Sequence, residues 1–180
     1  MGNRGPAPSP FRWEGAVPGD KFSIKYKVSD SVGLTNAERS KIDEAFKHWA
    51  EVWNSPEFEA AVKASEMSKP GDEVYEKIME GIEISGQGAG IADREADIDL
   101  KVLIGKRGVV GAFIGNGTTW INRYIVVEQP ATFIAHNFAH EYCHTVGYKH
   151  KWHGGDSPGD ISYEIGRITL EILNHSSASV

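Results

Sequence analysis

Three histidines and one glutamate lie close together in the segment AHEYCHTVGYKH. His140 and His144 are four residues apart, so on a helix their imidazoles lie one turn apart on the same face. Two imidazoles placed in this way can share one metal ion, with Glu141 beside them as a candidate general base. The whole chain has only seven histidines. Clustering of three of them in one segment therefore predicts a metal centre.

A third ligand requires the chain to turn back after the second histidine. Gly147 can take the left-handed conformation that ends a helix in such a turn, and His150 follows three residues later. Three imidazoles leave the fourth position of a zinc ion open for water, as catalytic sites require. We therefore expect His140, His144 and His150 to bind one catalytic Zn²⁺, with His153 as the alternative third ligand.

Other residues near this cluster have more ordinary interpretations. His136 is expected to line the cleft or to support a ligand, because three ligands are already supplied. Asp156 is interpreted either as a carboxylate that orients a ligating imidazole or as a solvated loop residue, and both interpretations stay open. Cys143 is interpreted as a small core residue, and Trp152 as a wall of the cleft.

The segment HEYCHTVGYKH has every fixed residue of H-E-x-x-H-x-x-G-x-x-H, and in this it resembles the metzincin zinc peptidases. The resemblance implies a zinc-dependent endopeptidase, with a peptide or protein substrate and with Glu141 activating the attacking water. It also implies a mixed twisted sheet, a backing helix before the zinc helix, and an antiparallel edge strand along the cleft. The segment VVGAFIG is expected to be that strand, with TTWINRYIVV as the next one in.

The chain departs from the family at the methionine turn beneath the metal, because no methionine follows Met79. The segment SPGDISYEIG stands in its place. Set against the S-x-M-x-Y turn of the astacin and serralysin branches, it puts Ile161 at the methionine and Tyr163 at the tyrosine. The resemblance then implies that Tyr163 is a displaceable fifth ligand that stabilises the oxyanion. Isoleucine keeps the apolar packing of methionine but lacks its polarizable sulfur.

Two rival functions stay open at this stage. One is a zinc hydrolase of narrow specificity or an exopeptidase, which a deep, closed cleft with a charged group at one end would favour. The other is a metal-dependent binding module whose catalysis has lapsed, as the missing methionine would allow. Retention of Glu141 argues against the binding module, because a purely structural site has no use for a base and usually has a fourth protein ligand.

Composition excludes several other classes of protein. The chain has 180 residues, with 40% hydrophobic and 24% charged residues, as in one ordinary globular domain. Its formal net charge is -6 and no basic tract is present, so we expect neither a nucleic-acid partner nor a membrane partner. A single cysteine excludes an internal disulfide. The first residues contain no apolar signal-peptide region, so a cytoplasmic location is the default expectation, or secretion if a signal was removed.

The order of patterns along the chain predicts an α+β fold. Residues 1–20 are rich in Gly, Pro and Ser and are interpreted as a flexible arm, with a short inhibitory pro-segment as the alternative. Residues 21–180 are expected to form one catalytic domain. Its cleft would separate an upper part, residues 21–147, from a short lower part, residues 148–180.

Periodicity and capping residues predict the individual elements. The alternation in KFSIKYKVSD predicts a strand, and ADIDLKVLIGK predicts another. Thr35 and Glu38 have the spacing of a capping box. The apolar face of the helix that follows them consists of Ile42, Ala45, Phe46, Trp49 and Trp53. Further helices are predicted in PEFEAAVKASEM, DEVYEKIMEGI, QPATFIAHNFAHEYCHTVG and SYEIGRITLEILNH, the last with its isoleucines facing inward.

Overall fold

The computed structural model of the chain describes residues 10–114, 116–150 and 159–177. Within these ranges the fold is mixed α/β, with one five-stranded mixed sheet and six helices. The strands are β1 (Phe11–Val17), β2 (Ser23–Asp30), β3 (Glu95–Leu103), β4 (Gly111–Ile114) and β5 (Thr118–Asn122). The helices are α1 (Asn36–Trp53), α2 (Pro56–Ala64), α3 (Gly71–Glu80), α4 (Arg123–Glu128), α5 (Ala131–Thr145) and α6 (Ile161–Ser177). Within the described ranges, every helix is too short or too polar to cross a lipid bilayer.

The sheet has the strand order β1-β2-β3-β5-β4. Strands β2, β3 and β5 run parallel, whereas β1 and β4 are antiparallel to their neighbours and form the two edges. The predicted alternation of β2 is confirmed, since Ile24, Tyr26 and Val28 are buried between more exposed residues. The prediction that β4 is an antiparallel edge strand with β5 next to it is also confirmed.

The prediction of a flexible arm over residues 1–20 is wrong for Phe11–Val17. These residues form β1, which pairs with β2 from Phe11 opposite Asp30 to Val17 opposite Ile24. Glycine and proline on either side of FRWEGAV concealed a strand whose hydrogen bonds come from a partner further along the chain. Residues 1–9 lie outside the described residues, and with them the first part of the alternative pro-segment.

The backing helix α1 begins as predicted. The Thr35 side chain accepts a hydrogen bond from the backbone N–H of Glu38, and the Glu38 carboxylate accepts one from the backbone N–H of Thr35. The whole predicted apolar face is buried. Trp49 and Trp53 are fully buried, and their rings lie 5.4 and 5.6 Å from the ring of Tyr142 in α5. Aromatic packing therefore fixes α5, the helix of the HExxH segment, against the backing helix.

The predicted strand TTWINRYIVV continues only to Asn122. There the side-chain oxygen of Asn122 accepts a hydrogen bond from the backbone N–H of Tyr124 and begins the short helix α4. The β-branched residues of RYIVV favoured a strand, but an asparagine N-cap supplies a partner for the first helical amides. The strand prediction for residues 123–127 is therefore wrong, and α4 leads the chain from the sheet to α5.

Helices α5 and α6 pack closely, and Gly166 makes that approach possible. A Cβ atom at Gly166 would lie 3.1 Å from ring atoms of His136 and 3.3 Å from its carbonyl oxygen. The predicted inward face of α6 is largely confirmed, since Ile165 and Ile168 are buried and Ile172 is half-buried. Close packing of α6 brings its first turn beside the histidines of α5.

Candidate metal centre

The structure brings the three predicted histidines together. One ring nitrogen from each of His140, His144 and His150 lies within 4.8 Å of the others. The ring centroids of His140 and His144 are 5.1 Å apart, and those of His144 and His150 are 4.5 Å apart. His140 is buried, His144 is half-buried and His150 is exposed, so the group opens to solvent on one side. His136, one turn earlier, is not part of this group among the described residues.

The return of the chain towards the helix takes place at Gly147. Its φ of 97° is in the left-handed region, as the sequence predicts. The N–H of Gly147 donates to the carbonyl of His144 at 3.0 Å, and the N–H of Tyr148 donates to the carbonyl of Cys143 at 2.9 Å. These two bonds form a Schellman motif, which satisfies the last carbonyls of α5 and directs His150 back over the first two histidines.

Hydrogen bonds fix which nitrogen of His144 faces the centre. Its Nδ1 lies 2.7 Å from the carbonyl oxygen of Tyr148. A carbonyl oxygen only accepts hydrogen bonds, so Nδ1 carries the proton and Nε2 has a free lone pair. The same Schellman turn that positions His150 therefore also orients His144.

Asp160 orients the ring of His150 in a similar way. Its Oδ2 lies 3.0 Å from His150 Nδ1, and Oδ1 accepts the backbone N–H of Ser162 at 3.1 Å. Burial raises the pKa of this carboxyl, but hydrogen bonds from His150 and the backbone outweigh it and hold the pKa below the usual value. Ionised Asp160 therefore accepts a hydrogen bond from Nδ1–H of His150. The other ring nitrogen, Nε2, then has a free lone pair on the side of the centre. Sequence reasoning missed this residue; its position just before α6 was the available signal.

The resulting arrangement suits a metal ion. Nε2 of His144 lies 3.1 Å from Nε2 of His150, and both nitrogens are acceptors in the tautomers that their partners impose. Two lone pairs at this distance repel unless a proton or a cation lies between them. In a tetrahedral zinc site with Zn–N bonds of about 2.05 Å, two nitrogens are roughly 3.3 Å apart. The donor set and its spacing thus fit zinc.

Burial keeps the imidazoles in the form that binds metal. It is the largest cause that lowers the pKa of His140, to about 3, and the charges of His144 and His150 lower it further. Burial also lowers the pKa of His144, against the opposing effect of the hydrogen bond that His144 donates to the Tyr148 carbonyl. At neutral pH both rings are therefore uncharged, as ligation requires.

Glu141 and the histidines line one open cleft, with a cavity volume of about 990 Å³. Glu141 lines this cleft and is itself only 5% exposed. One wall comes from Val110 and from Gly111 and Ala112 of the edge strand β4. The other lining residues are Ile84, Phe133, His136, Asn137, Tyr148, Lys149 and Tyr163. The predicted cleft-lining position of His136 is confirmed.

Tyr163 lies in the first turn of α6, directly beside the histidines. Its ring centroid is 4.7 Å from that of His140 and 4.8 Å from that of His150. Ile161, aligned with the family's methionine, is buried at the beginning of the same helix. The first turn of α6 therefore supplies an apolar residue to the core and places a phenol ring beside the histidines.

The remaining predictions near the site have separate outcomes. Cys143 is fully buried, with its Sγ 3.3 Å from the carbonyl oxygen of Ala139, so its interpretation as a core residue is confirmed. Burial raises the pKa of its thiol, which removes it from metal or redox chemistry. Trp152, His153 and Asp156 lie outside the described residues.

Comparisons with protein-family models, curated proteins and solved structures found no match to this chain.

Proposed function

We propose that the chain is a zinc-dependent endopeptidase of the metzincin type. The observation that carries the proposal is the convergence of three imidazoles with Glu141 in one open cleft. A structural zinc site usually has four protein ligands and no general base, whereas a catalytic site keeps one position free. The side of the centre that opens to the cleft provides that position.

The edge strand supports a peptide substrate. Strand β4 is hydrogen-bonded to β5 alone within the described sheet, and Gly111 and Ala112 lie on the wall of the cleft. An extended peptide can add to such an edge through main-chain hydrogen bonds, which accept many sequences. The resemblance to metzincins implies an antiparallel edge strand of this kind along the cleft. An open groove along β4 favours internal peptide bonds over chain ends.

In the proposed reaction, His140, His144 and His150 hold the ion as neutral imidazoles. A bound zinc ion supplies Lewis-acid chemistry, lowering the pKa of a water molecule and polarising the scissile carbonyl. Glu141 accepts the proton from the attacking water and then delivers it to the nitrogen of the leaving amine. The burial of Glu141 keeps bulk water from competing for that proton. Asp160 and the Tyr148 carbonyl hold two of the imidazoles in the required tautomer.

Tyr163 is proposed to stabilise the oxyanion that forms when water attacks the carbonyl. Its ring lies against both His140 and His150, so the phenol stands beside two of the candidate ligands. A hydroxyl donor placed at a developing oxyanion stabilises the transition state more than the ground state.

Purified wild-type protein and Glu141→Ala provide the test. Zinc content is measured by elemental analysis, and hydrolysis is measured on an unfolded protein such as casein. We expect one equivalent of zinc in both proteins and cleavage by the wild type alone, with a loss of roughly 10²- to 10⁴-fold in the variant. Zinc in both proteins without cleavage would favour a narrow hydrolase or a binding module. Absence of zinc from both would reject the proposal.

A further inference from the structure

A second cluster of possible ligands lies where the connection from α3 enters β3. Asp93, Glu95 and Asp97 each offer a carboxylate oxygen, and the three oxygens lie within 4.8 Å of one another. The lining of the cleft includes none of them. Acidic groups this close are common on surfaces without any ion, so the cluster alone does not indicate one.

Glu83 supplies the independent observation. Its side chain is 2% exposed, and its Oε1 accepts the backbone N–H of Asp97 at 2.8 Å. Its other oxygen, Oε2, is buried without a hydrogen-bond partner among the described residues. A buried carboxylate oxygen without a partner costs free energy, and a cation is one way to recover it.

The unpartnered oxygen of Glu83 lies beside Asp97, one member of the acidic cluster. A Cβ atom at Gly88 would lie 1.8 Å from Oε2 of Glu83 and 2.7 Å from Oδ2 of Asp97. Only the absence of a side chain at Gly88 leaves room for the two carboxylates to converge there. Any other residue at this position would fill the space between them.

Nearby basic groups do not balance the cluster. Lys25 forms an ion pair with Glu95, and the ammonium of Lys27 donates to the side-chain oxygen of Gln87. Burial is the main cause that raises the pKa of Glu83, and the charges of Asp97, Asp93 and Glu95 raise it further. Among the described residues, four carboxylates therefore have one direct ion pair, from Lys25, and Lys27 acts on Asp97 as well, which leaves an excess of negative charge at the beginning of β3.

We propose that Asp93, Glu95 and Asp97, with the unpartnered oxygen of Glu83 beside Asp97, form a binding site for a calcium ion. Glu83 is the buried end of the site, and exposed Asp93 is its solvent side. Calcium accepts six to eight oxygen ligands in flexible geometry, which suits carboxylates from an irregular loop. Magnesium requires near-ideal octahedral geometry, so it binds this site more weakly.

The position of the site gives the ion a structural purpose. The residue after Glu83, Ile84, lines the cleft, and its N–H donates to the carbonyl of Thr145 at the end of α5. A Cβ atom at Gly147 would lie 3.3 Å from Ile84 Cγ2. An ion that holds Glu83 in place therefore also supports the turn that brings His150 to the histidine centre.

Thermal unfolding of the full chain, followed by tryptophan fluorescence at about pH 8, tests the site. Chelator-treated protein is compared in buffer alone and with about 1 mM CaCl₂ or MgCl₂. We expect calcium to raise the Tm by roughly 5 °C or more in a saturable way, and magnesium to do less. Glu83→Gln and Asp93→Asn should each remove most of this rise. Asp93 is exposed, so its variant is expected to fold normally.

Asp99→Asn is the matched control, because Asp99 lies on the same strand outside the cluster, and it should keep the full calcium effect. Glu141→Ala should also keep it, which separates this site from the histidine centre and from the proposed peptidase activity. A wild-type Tm that does not change when calcium is added would overturn the proposal. So would an undiminished rise in both Glu83→Gln and Asp93→Asn.

Discussion

Nδ1 of His150 lies 3.0 Å from Oδ2 of Asp160, a carboxylate whose other oxygen accepts the N–H of Ser162 at the beginning of α6. The aspartate is 5% exposed, and its backbone carbonyl accepts the N–H of Glu164 in the same turn. The third imidazole is therefore held by a helix terminus. One carboxylate both caps α6 and orients His150.

Substitution of Asp160 by asparagine separates these two tasks. Asparagine caps a helix about as well as aspartate, but it lacks the charge that holds the Nδ1 proton of His150. We expect zinc affinity to fall by roughly 10- to 100-fold in Asp160→Asn, with little change in the stability of the metal-free protein. Zinc titration against a chromophoric chelator and metal-free thermal unfolding measure the two effects.

The comparison variant is Asp160→Ala, which removes the cap as well. It should lose the same zinc affinity and also about 1 kcal/mol of stability in the metal-free protein. Unchanged zinc affinity in Asp160→Asn would show that His150 does not depend on this contact for its orientation.

A second prediction concerns the turn at Gly147. Alanine there is strained by the φ of 97°, and its Cβ would meet Ile84 Cγ2 at 3.3 Å. We expect Gly147→Ala to lose about 1–2 kcal/mol of stability and also most of its zinc affinity, because the Schellman turn positions His150. Urea unfolding and zinc titration are the measurements.

Gly33 offers a matched control for the backbone strain. Its φ is 74°, and a Cβ atom there would meet nothing within 4 Å. Gly33→Ala should lose a similar amount of stability while it keeps full zinc affinity. Equal zinc affinity in the two variants would contradict a special role for the turn at Gly147.

The parts of the fold that sequence predicts best depend on neighbours in the chain. The capping box of Thr35 and Glu38 specifies the beginning of α1 from two residues three positions apart. His140, His144 and Gly147 lie in one helix and its terminal turn, so their spacing alone predicts their relative positions. In both cases the spacing of a few residues along the chain was sufficient to predict the local structure.

The predictions that failed involve partners distant along the chain or competing local signals. Strand β1 owes its structure to pairing with β2, which composition around FRWEGAV does not reveal. At Asn122 a side-chain cap overrode the β-propensity of RYIVV. Asp160 meets His150 only because α5 and α6 pack together, and Glu83 meets Asp97 only through the fold of a glycine-rich loop.

A third prediction tests Tyr163. If its hydroxyl stabilises the oxyanion, Tyr163→Phe should lower kcat by roughly 10- to 100-fold. This is a smaller loss than removal of a main oxyanion-hole donor causes. The KM and the zinc content should change little, since phenylalanine keeps the ring that packs on His140 and His150. Steady-state kinetics on a quenched fluorescent peptide separates kcat from KM.

Tyr124→Phe is the control, because Tyr124 is a half-buried residue of α4 that does not line the cleft. This variant removes a phenolic hydroxyl and should leave kcat unchanged. A rise in KM without a fall in kcat for Tyr163→Phe would indicate that the phenol binds substrate in the ground state. Loss of zinc would indicate a structural role in the centre.

The last prediction follows from the buried carboxyl of Glu83. Burial, together with the charges of Asp97, Asp93 and Glu95, raises its pKa to about 7, whereas an unfolded chain has a glutamate pKa of about 4.3. Folded protein therefore holds this proton more tightly than unfolded protein does. The stability that Glu83 contributes in calcium-free protein is fully present below about pH 4.3 and is lost as the pH rises towards and through 7.

Glutamine at this position cannot ionise and keeps an oxygen for the N–H of Asp97. We expect the Tm of calcium-free wild type, relative to Glu83→Gln, to fall between about pH 5 and 8. Titration of the histidines, whose lowered pKa values favour folding at higher pH, occurs in both proteins and cancels in that difference. The measurement is thermal unfolding of both proteins at several pH values in chelator. A constant difference in Tm across this range would mean that Glu83 is ionised in the folded protein at every pH tested. Calcium would then bind to Glu83 without displacing a proton.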